Sequence, residues 1–162
     1  MALQLDPRDI QILRILSTEG RISKAELAKR VNLSASPCWE RLKRLESAGL
    51  IKGYKAEFDL AQVAAHVVVF VVVELESHQA SSFRIFENAV GQRDEIIGCW
   101  AIGGGVDYLL QVVTSDINSY QRMIDELLEA RIGLSRYFTY IVTKTVKSLA
   151  PPLAALLGPQ TD

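Results

Sequence analysis

The chain has 162 residues, 49% of them apolar, and a formal net charge of −1. That length suits one ordinary domain or two small ones, and that apolar fraction excludes a disordered polypeptide. The longest uninterrupted apolar run, Val67–Val73, falls far short of the roughly 18 residues that span a bilayer as a helix.

The N-terminus, MALQLDPRDIQ, has no basic region leading into an apolar stretch, so no signal peptide is expected. The expectation is a soluble, cytoplasmic protein with no membrane partner. Cys38 and Cys99 have neither a zinc spacing nor a secreted disulfide pattern, and each reads as a small buried apolar residue. Charge is unevenly spread: residues 1–58 hold 11 Lys/Arg and 7 Asp/Glu, and the remainder hold 7 and 12. A basic front half suggests that this part alone meets a polyanion.

Asp6-Pro7 is a helix start, with an N-cap acid and proline at the first helical position. Ile10, Leu13, Ile15 and Leu16 continue at roughly helical spacing, and Gly20 ends the run. Ser23-Lys24-Ala25-Glu26 is a capping box. It opens a short helix to about Arg30, with Leu27, Ala28 and Val31 inward. After a brief turn, Ser34 or Ser36 caps a third helix with Pro37 in its first turn, running to Ala48 before Gly49.

Three short helices, the last two joined by a tight turn, make a helix-turn-helix candidate. On the third helix, Cys38, Leu42 and Leu45 share one side, with Trp39 at the edge of that packing stripe. The other side carries Ser36, Glu40, Lys43, Arg44 and Ser47, flanked by Arg41. Arg and Lys can donate to guanine, Glu can accept from cytosine, and a helix N-terminus presents N–H groups to phosphate. The candidate partner is double-stranded DNA, contacted by Ser34, Ser36, Pro37, Glu40, Arg41, Lys43 and Arg44. The segment LIKGYKAEFD that follows has extended character, and Asp59–Ala65 reads as a linker.

The run from His66 to Leu75 is β-branched and nearly all apolar, hence a strand. It lacks the alternation of a sheet with one wet face, so both faces should be covered. Helices cover one, and a second copy of the chain is the natural cover for the other. Next come a helix over Ser81–Val90, strands over Ile96–Ile102 and Asp107–Val113, and a helix over Ser115–Ala130. The inward residues of that helix are read as Tyr120, Met123, Ile124, Leu127 and Leu128. A last strand is expected over Phe138–Val146. The order βαββαβ is the ferredoxin-like arrangement. The expected class is α+β, with a helix-turn-helix domain over 1–58, a linker over 59–65, a βαββαβ domain over 66–148 and a tail over 149–162.

Gly103-Gly104-Gly105 falls between two strands. A phosphate loop runs from a strand into a helix, and neither GxGxxG nor a Lys-Ser/Thr pair is present. Two readings stay open. One is a hairpin turn using positive φ. The other is a place where a small molecule approaches the backbone at Gly103, Gly104 and Gly105, with Asp107 accepting from its ammonium group.

The stretch LDPRDIQILRILSTEGRISKAELAKRVNLSASPCWERLKRLESAGLIKGY resembles the N-terminal half of the Lrp/AsnC (feast/famine) transcription regulators. Its most specific part is S-x-S-P-C-W-x-R-x-x-R-L-E-x-x-G-x-I-x-G-Y, Ser34–Tyr54. GGGVDYLLQV is similar to the family's glycine turn, and the resemblance runs from about residue 5 to 148. It implies a winged helix-turn-helix joined to a ligand-sensing βαββαβ domain. It implies a homodimer paired through sheet faces, octamer-like rings, and an amino acid or related metabolite bound between dimers near the glycine turn. Carried over by position, the effector residues are Ala101, Gly104, Asp107, Tyr140, Ile141 and Val142. The chain departs from the family at Gly105, where a polar or acidic residue is common, and at Ile132-Gly133-Leu134, where Pro-Gly-Val is common.

An enzyme would need a coherent catalytic constellation. His66, His78, Cys38, Cys99 and Asp107 form none in the sequence, so a non-enzymatic regulator without cofactor or metal is expected. The alternative within the same fold is a DNA-organising regulator that acts through assembly alone, without an effector.

Overall fold

The computed structural model describes residues 3–148 and 151–156. The chain divides into two units. One runs to Glu57 and resumes at Lys147; the other spans Phe58–Val146.

The first unit begins with α1, Pro7–Thr18, closed at its start by Asp6, whose carboxylate accepts from the Arg8 and Asp9 N–H groups. Helix α2, Lys24–Arg30, has Ser23 as its cap, accepting from Glu26 N–H at 3.1 Å. The turn after it is a Schellman closure: Asn32 N–H donates to Lys29 C=O, and Leu33 N–H to Ala28 C=O. Asn32 holds φ at 51°, a left-handed conformation that asparagine tolerates better than most residues. Helix α3, Ala35–Ser47, ends in the same way, with Gly49 N–H donating to Glu46 C=O and Leu50 N–H to Leu45 C=O. The turn before α3 and the turn after it are therefore both fixed by backbone bonds. Ile12, Leu27, Ala28, Val31, Cys38, Leu42 and Leu45 form the core between the three helices.

The extended segment expected after Gly49 takes part in no strand ladder among the described residues. Tyr54 instead turns its hydroxyl back to α3, donating to Glu46 Oε1 at 2.9 Å. Of the tail, residues 149, 150 and 157–162 lie outside the described residues, and a short helix α7 covers Leu153–Leu156.

The second unit opens with a single-turn helix α4, Leu60–Val63, capped by Asp59. Strand β1, Val67–Leu75, leads to helix α5, Ala80–Val90, then to strands β2, Ile96–Ala101, and β3, Tyr108–Thr114. Helix α6, Ile117–Glu129, capped by Asp116, and strand β4, Leu134–Ile141, complete it. The sheet order is β2-β3-β1-β4 with every neighbouring pair antiparallel, the ferredoxin-like topology. Val69, Val71, Val73 and Leu75 of β1 and Tyr108, Leu110 and Val112 of β3 pack on Phe86 and Val90 of α5 and on Met123, Ile124 and Leu127 of α6.

Three expectations are corrected. The last strand starts and ends earlier than Phe138–Val146, because its register is set by β1: Leu134 opposes Leu75, and Ile141 opposes Val69. Arg136 hid its beginning. A charged residue in a strand here is accommodated by its cross-strand partner Glu74, which accepts from the guanidinium at 2.7, 2.9 and 3.0 Å. Val142 N–H still reaches Val68 C=O, one residue from the start of β1 at Val67. Cys99 is exposed, because β2 is an edge strand, whereas Cys38 is buried as expected. Leu128 is exposed rather than inward, lying beyond the stripe of Tyr120, Ile124 and Leu127. Trp39, at the edge of the packing stripe, is exposed, and the Lys24 ammonium sits 3.3 Å from its ring centroid.

The unbroken apolar sequence of β1 has a direct structural counterpart. Its alternate residues Val68, Phe70 and Val72 point to the face opposite the helices and are only half-buried. Register places Trp100, Leu109, Val72 and Phe138 in one row across that face, and Gly98, Gln111, Phe70 and Tyr140 in the next. Trp100, Phe138 and Tyr140 are 47%, 43% and 58% exposed. Gly98 lets the Trp100 indole fold back along the strand: a Cβ there would lie 2.4 Å from the ring.

Candidate nucleic-acid interface and glycine turn

The DNA-facing residues expected from the sequence gather on one side of α3. Ser34, Ser36, Pro37, Glu40, Lys43 and Arg44 are exposed, and Arg41 is half-buried. Pro37, Glu40, Arg41 and Arg44 line a shallow concavity of about 310 Å³. Ser34 takes the N-cap position with extended backbone, but its hydroxyl makes no capping bond. The first-turn N–H groups of α3 therefore have no side-chain acceptor from the cap, and an external anion fits there by charge.

Arg41 and Arg44 are engaged within the unit. Asp9, on α1, is fully buried, and its carboxylate receives both guanidinium groups. Arg41 donates to Asp9 Oδ1 at 2.9 Å and also pairs with Asp6, while Arg44 pairs with Asp9 Oδ2. The Asp6 N–H closes the cluster on Asp9 Oδ2 at 3.1 Å. Burial acts to raise the Asp6 carboxyl, yet hydrogen bonds from the Asp9 N–H and the Arg41 guanidinium prevail and hold it below the ordinary carboxylate value. The Asp6 and Asp9 carboxylates in turn push Arg41 further up. Sequence reasoning reads Asp6 as a cap and passes over Asp9. The available signal is the Asp-x-x-Asp spacing at a helix start, facing an Arg-x-x-Arg pair on α3. Glu40 and Lys43 carry no ion pair among the described residues.

In the second unit the glycine turn closes β2 on β3, with Ile102 N–H donating to Asp107 C=O at 2.9 Å. Gly104 holds φ at 138°, which side-chain-bearing residues rarely adopt. A Cβ at Gly103, Gly104 or Gly105 would meet nothing within 4 Å, so the turn presents bare backbone to the outside. Asp107 is fixed from two directions. Its N–H donates to Val73 C=O, and its Oδ2 accepts from Leu75 N–H at 2.8 Å. His78, which no motif singles out, places Nε2 3.0 Å from Asp107 Oδ1.

Ala101 ends β2 beside this turn, opposite Tyr108. Tyr140, Ile141 and Val142 do not join it. Asp107 bonds to Val73 and Val142 bonds to Val68, positions roughly 17 Å apart along β1 at the usual strand rise. One chain brings Ala101, Gly103, Gly104, Gly105 and Asp107 together and leaves Tyr140, Ile141 and Val142 at the other end of the sheet.

Comparison with known proteins decides the family. Residues 68–152 match the model of the Lrp/AsnC ligand binding domain, and residues 5–52 match a winged helix-turn-helix DNA-binding model. The chain belongs to the Lrp/AsnC family. Among its relatives, the transcriptional regulatory protein DoeX of Halomonas elongata is 51% identical over 90% of this chain and 92% of its own. The leucine-responsive regulatory protein of Escherichia coli is 39% identical over 88% of this chain and 87% of its own. A transcriptional regulator of Neisseria meningitidis, solved as a complex with L-methionine, superposes with a TM-score of 0.86 at 33% identity, covering 94% of this chain and 99% of that one. This Lrp/AsnC protein is thus a DNA-binding transcriptional regulator with a ligand-binding domain, and not an enzyme. No helix among its described residues is long and apolar enough to cross a membrane.

Proposed function

We propose that this regulator reads duplex DNA with the exposed side of α3 and answers to an amino acid or a related small metabolite held at the glycine turn between copies of the chain. The observation that carries the ligand part is the distance between the two sets of effector residues. Ala101, the three glycines and Asp107 stand at one end of β1, and Tyr140–Val142 at the other. A molecule of amino-acid size cannot touch both ends on one protomer. A site using both sets needs a second copy, and a site between copies lets ligand and assembly control each other.

The open sheet face supports the assembly. Trp100, Phe138 and Tyr140 stand exposed beside Val68, Phe70 and Val72, an apolar surface of the kind that marks an interface. Its proposed cover is the same face of a second copy, with such dimers building an octamer or similar ring. On DNA, the exposed Ser36, Glu40 and Lys43 are the proposed contacts to base edges, with Ser34 and Pro37 at the uncapped helix start. Arg41 and Arg44 reach the duplex only with whatever donors Asp6 and Asp9 leave free.

The effector-free alternative has one observation on its side: Asp107 already serves Leu75 N–H and His78. Titration of a labelled duplex from the promoter next to the gene, with and without a panel of amino acids, separates the two. The proposal expects at least one amino acid to shift DNA affinity several-fold and to raise the unfolding temperature, as a ligand of the folded state must. DNA affinity and stability that no amino acid alters would leave assembly alone as the function.

A further inference from the structure

At the end of β3 remote from the glycine turn, the second unit holds a cleft of about 580 Å³. That volume is in the range of small-molecule sites. Leu60 and Val63 of α4 and Met123 of α6 give it apolar walls. Three charged groups line it: Arg122 on the second turn of α6, Glu95 just before β2, and Glu126 of α6, whose carboxylate is taken up by Arg93. The Glu95 backbone is anchored there by Val113 N–H, which donates to its carbonyl at 2.9 Å. Neither Arg122 nor Glu95 has an ion-pair partner among the described residues, and they do not pair with each other. Arg122 is steadied by a single neutral contact, Nη2 donating to Ser119 Oγ at 2.8 Å.

A cation and a carboxylate that no ion pair engages, with apolar walls in one cleft, match one ligand chemistry. We propose that this cleft is a second ligand site, taking a zwitterionic α-amino acid with an apolar side chain. The carboxylate is received by the Arg122 guanidinium with the Ser119 hydroxyl beside it, the ammonium by the Glu95 carboxylate, and the side chain by Leu60, Val63 and Met123. The inference rests on the reading that the protein answers to amino acids, and adds a site that the glycine turn does not include. Its consequence follows from chain order. Helix α4 is part of the segment that leads from the DNA-binding residues into β1, so a ligand bridging α4 and α6 restrains the segment by which the reading head is carried.

The test is calorimetric titration of the full-length protein with L-methionine, and with 3-(methylthio)propylamine and 4-(methylthio)butanoate, which each lack one of its charges. Gly103→Leu serves as the control that blocks the glycine turn, since a side chain there meets open space and leaves the fold intact. In that variant L-methionine still binds, and adding Arg122→Gln or Glu95→Gln weakens it by about tenfold or more, while both single-charge analogues bind no better than L-methionine does to the doubly altered proteins. Arg122 is exposed, and the half-buried Glu95 carboxylate has no ion-pair partner among the described residues, so ligand-free unfolding temperatures stay unchanged. Binding that Gly103→Leu abolishes and the other two variants leave intact overturns this site and keeps the glycine-turn reading. A wild-type protein that ignores L-methionine and every other apolar amino acid overturns both.

Discussion

Asp9 ties α1 to α3 through charge. It is fully buried, and its charge is balanced by Arg41 and Arg44 from the facing helix. Removing both arginines leaves a buried carboxylate without a cation. Arg41→Ala with Arg44→Ala is expected to destabilise the protein by about 3–5 kcal/mol in urea unfolding, and a further Asp9→Leu change to recover much of that loss. If the double variant unfolds like the wild type, the cluster holds nothing. Asp6 adds a pH signature. Its carboxyl is held below its ordinary value of 3.8, so the stability it contributes is complete above that pH and fades as the pH falls below it. The stability gap between wild type and Asp6→Asn should narrow across that acid range and stay constant near neutrality. At this scale the sequence is partly legible. Pattern alone places Ser36, Glu40 and Lys43 on an exposed side, because helical spacing is periodic. Pattern cannot reveal that Arg41 and Arg44 are shared with α1, because residues 32 and 35 positions apart meet only through tertiary packing.

Elements are most legible where the signal is local. The caps at Asp6 and Ser23 and the glycine after α3 set helix boundaries from neighbours in the chain. Strand β4 is misplaced by pattern because its limits come from register with β1, roughly sixty residues away, and because Arg136 interrupts its apolar alternation. Gly98 is likewise silent in the sequence, and its role is spatial: it leaves room for the Trp100 ring on the open face. Gly98→Ala should leave the sheet intact and displace the indole. The expected readout is an altered Trp100 fluorescence in a Trp39→Phe background, with far-ultraviolet circular dichroism unchanged. An emission spectrum identical to that of the parent would show that the ring does not lie over Gly98.

For the whole molecule, the informative feature is what β1 leaves uncovered. The unbroken apolar run Val67–Val73 predicts a sheet with both faces covered, and helices cover only one. Phe138→Asp places a charge in the row of Trp100, Leu109 and Val72 without touching the helix-facing core. Sedimentation velocity should show this variant as a smaller species than the wild type at equal concentration, with weaker DNA binding, since two linked reading heads hold a duplex far better than one. An unchanged sedimentation coefficient would remove the sheet face from the assembly.

The central claim is that the exposed side of α3 meets the duplex. Fluorescence anisotropy of a labelled promoter fragment over a series of salt concentrations tests it most directly, comparing wild type with Lys43→Ala. The claim predicts that affinity falls steeply with added salt. It also predicts that the variant binds more weakly, with a salt slope shallower by about one for each Lys43 ammonium taken away from a phosphate. Affinity and slope identical in the two proteins would contradict it.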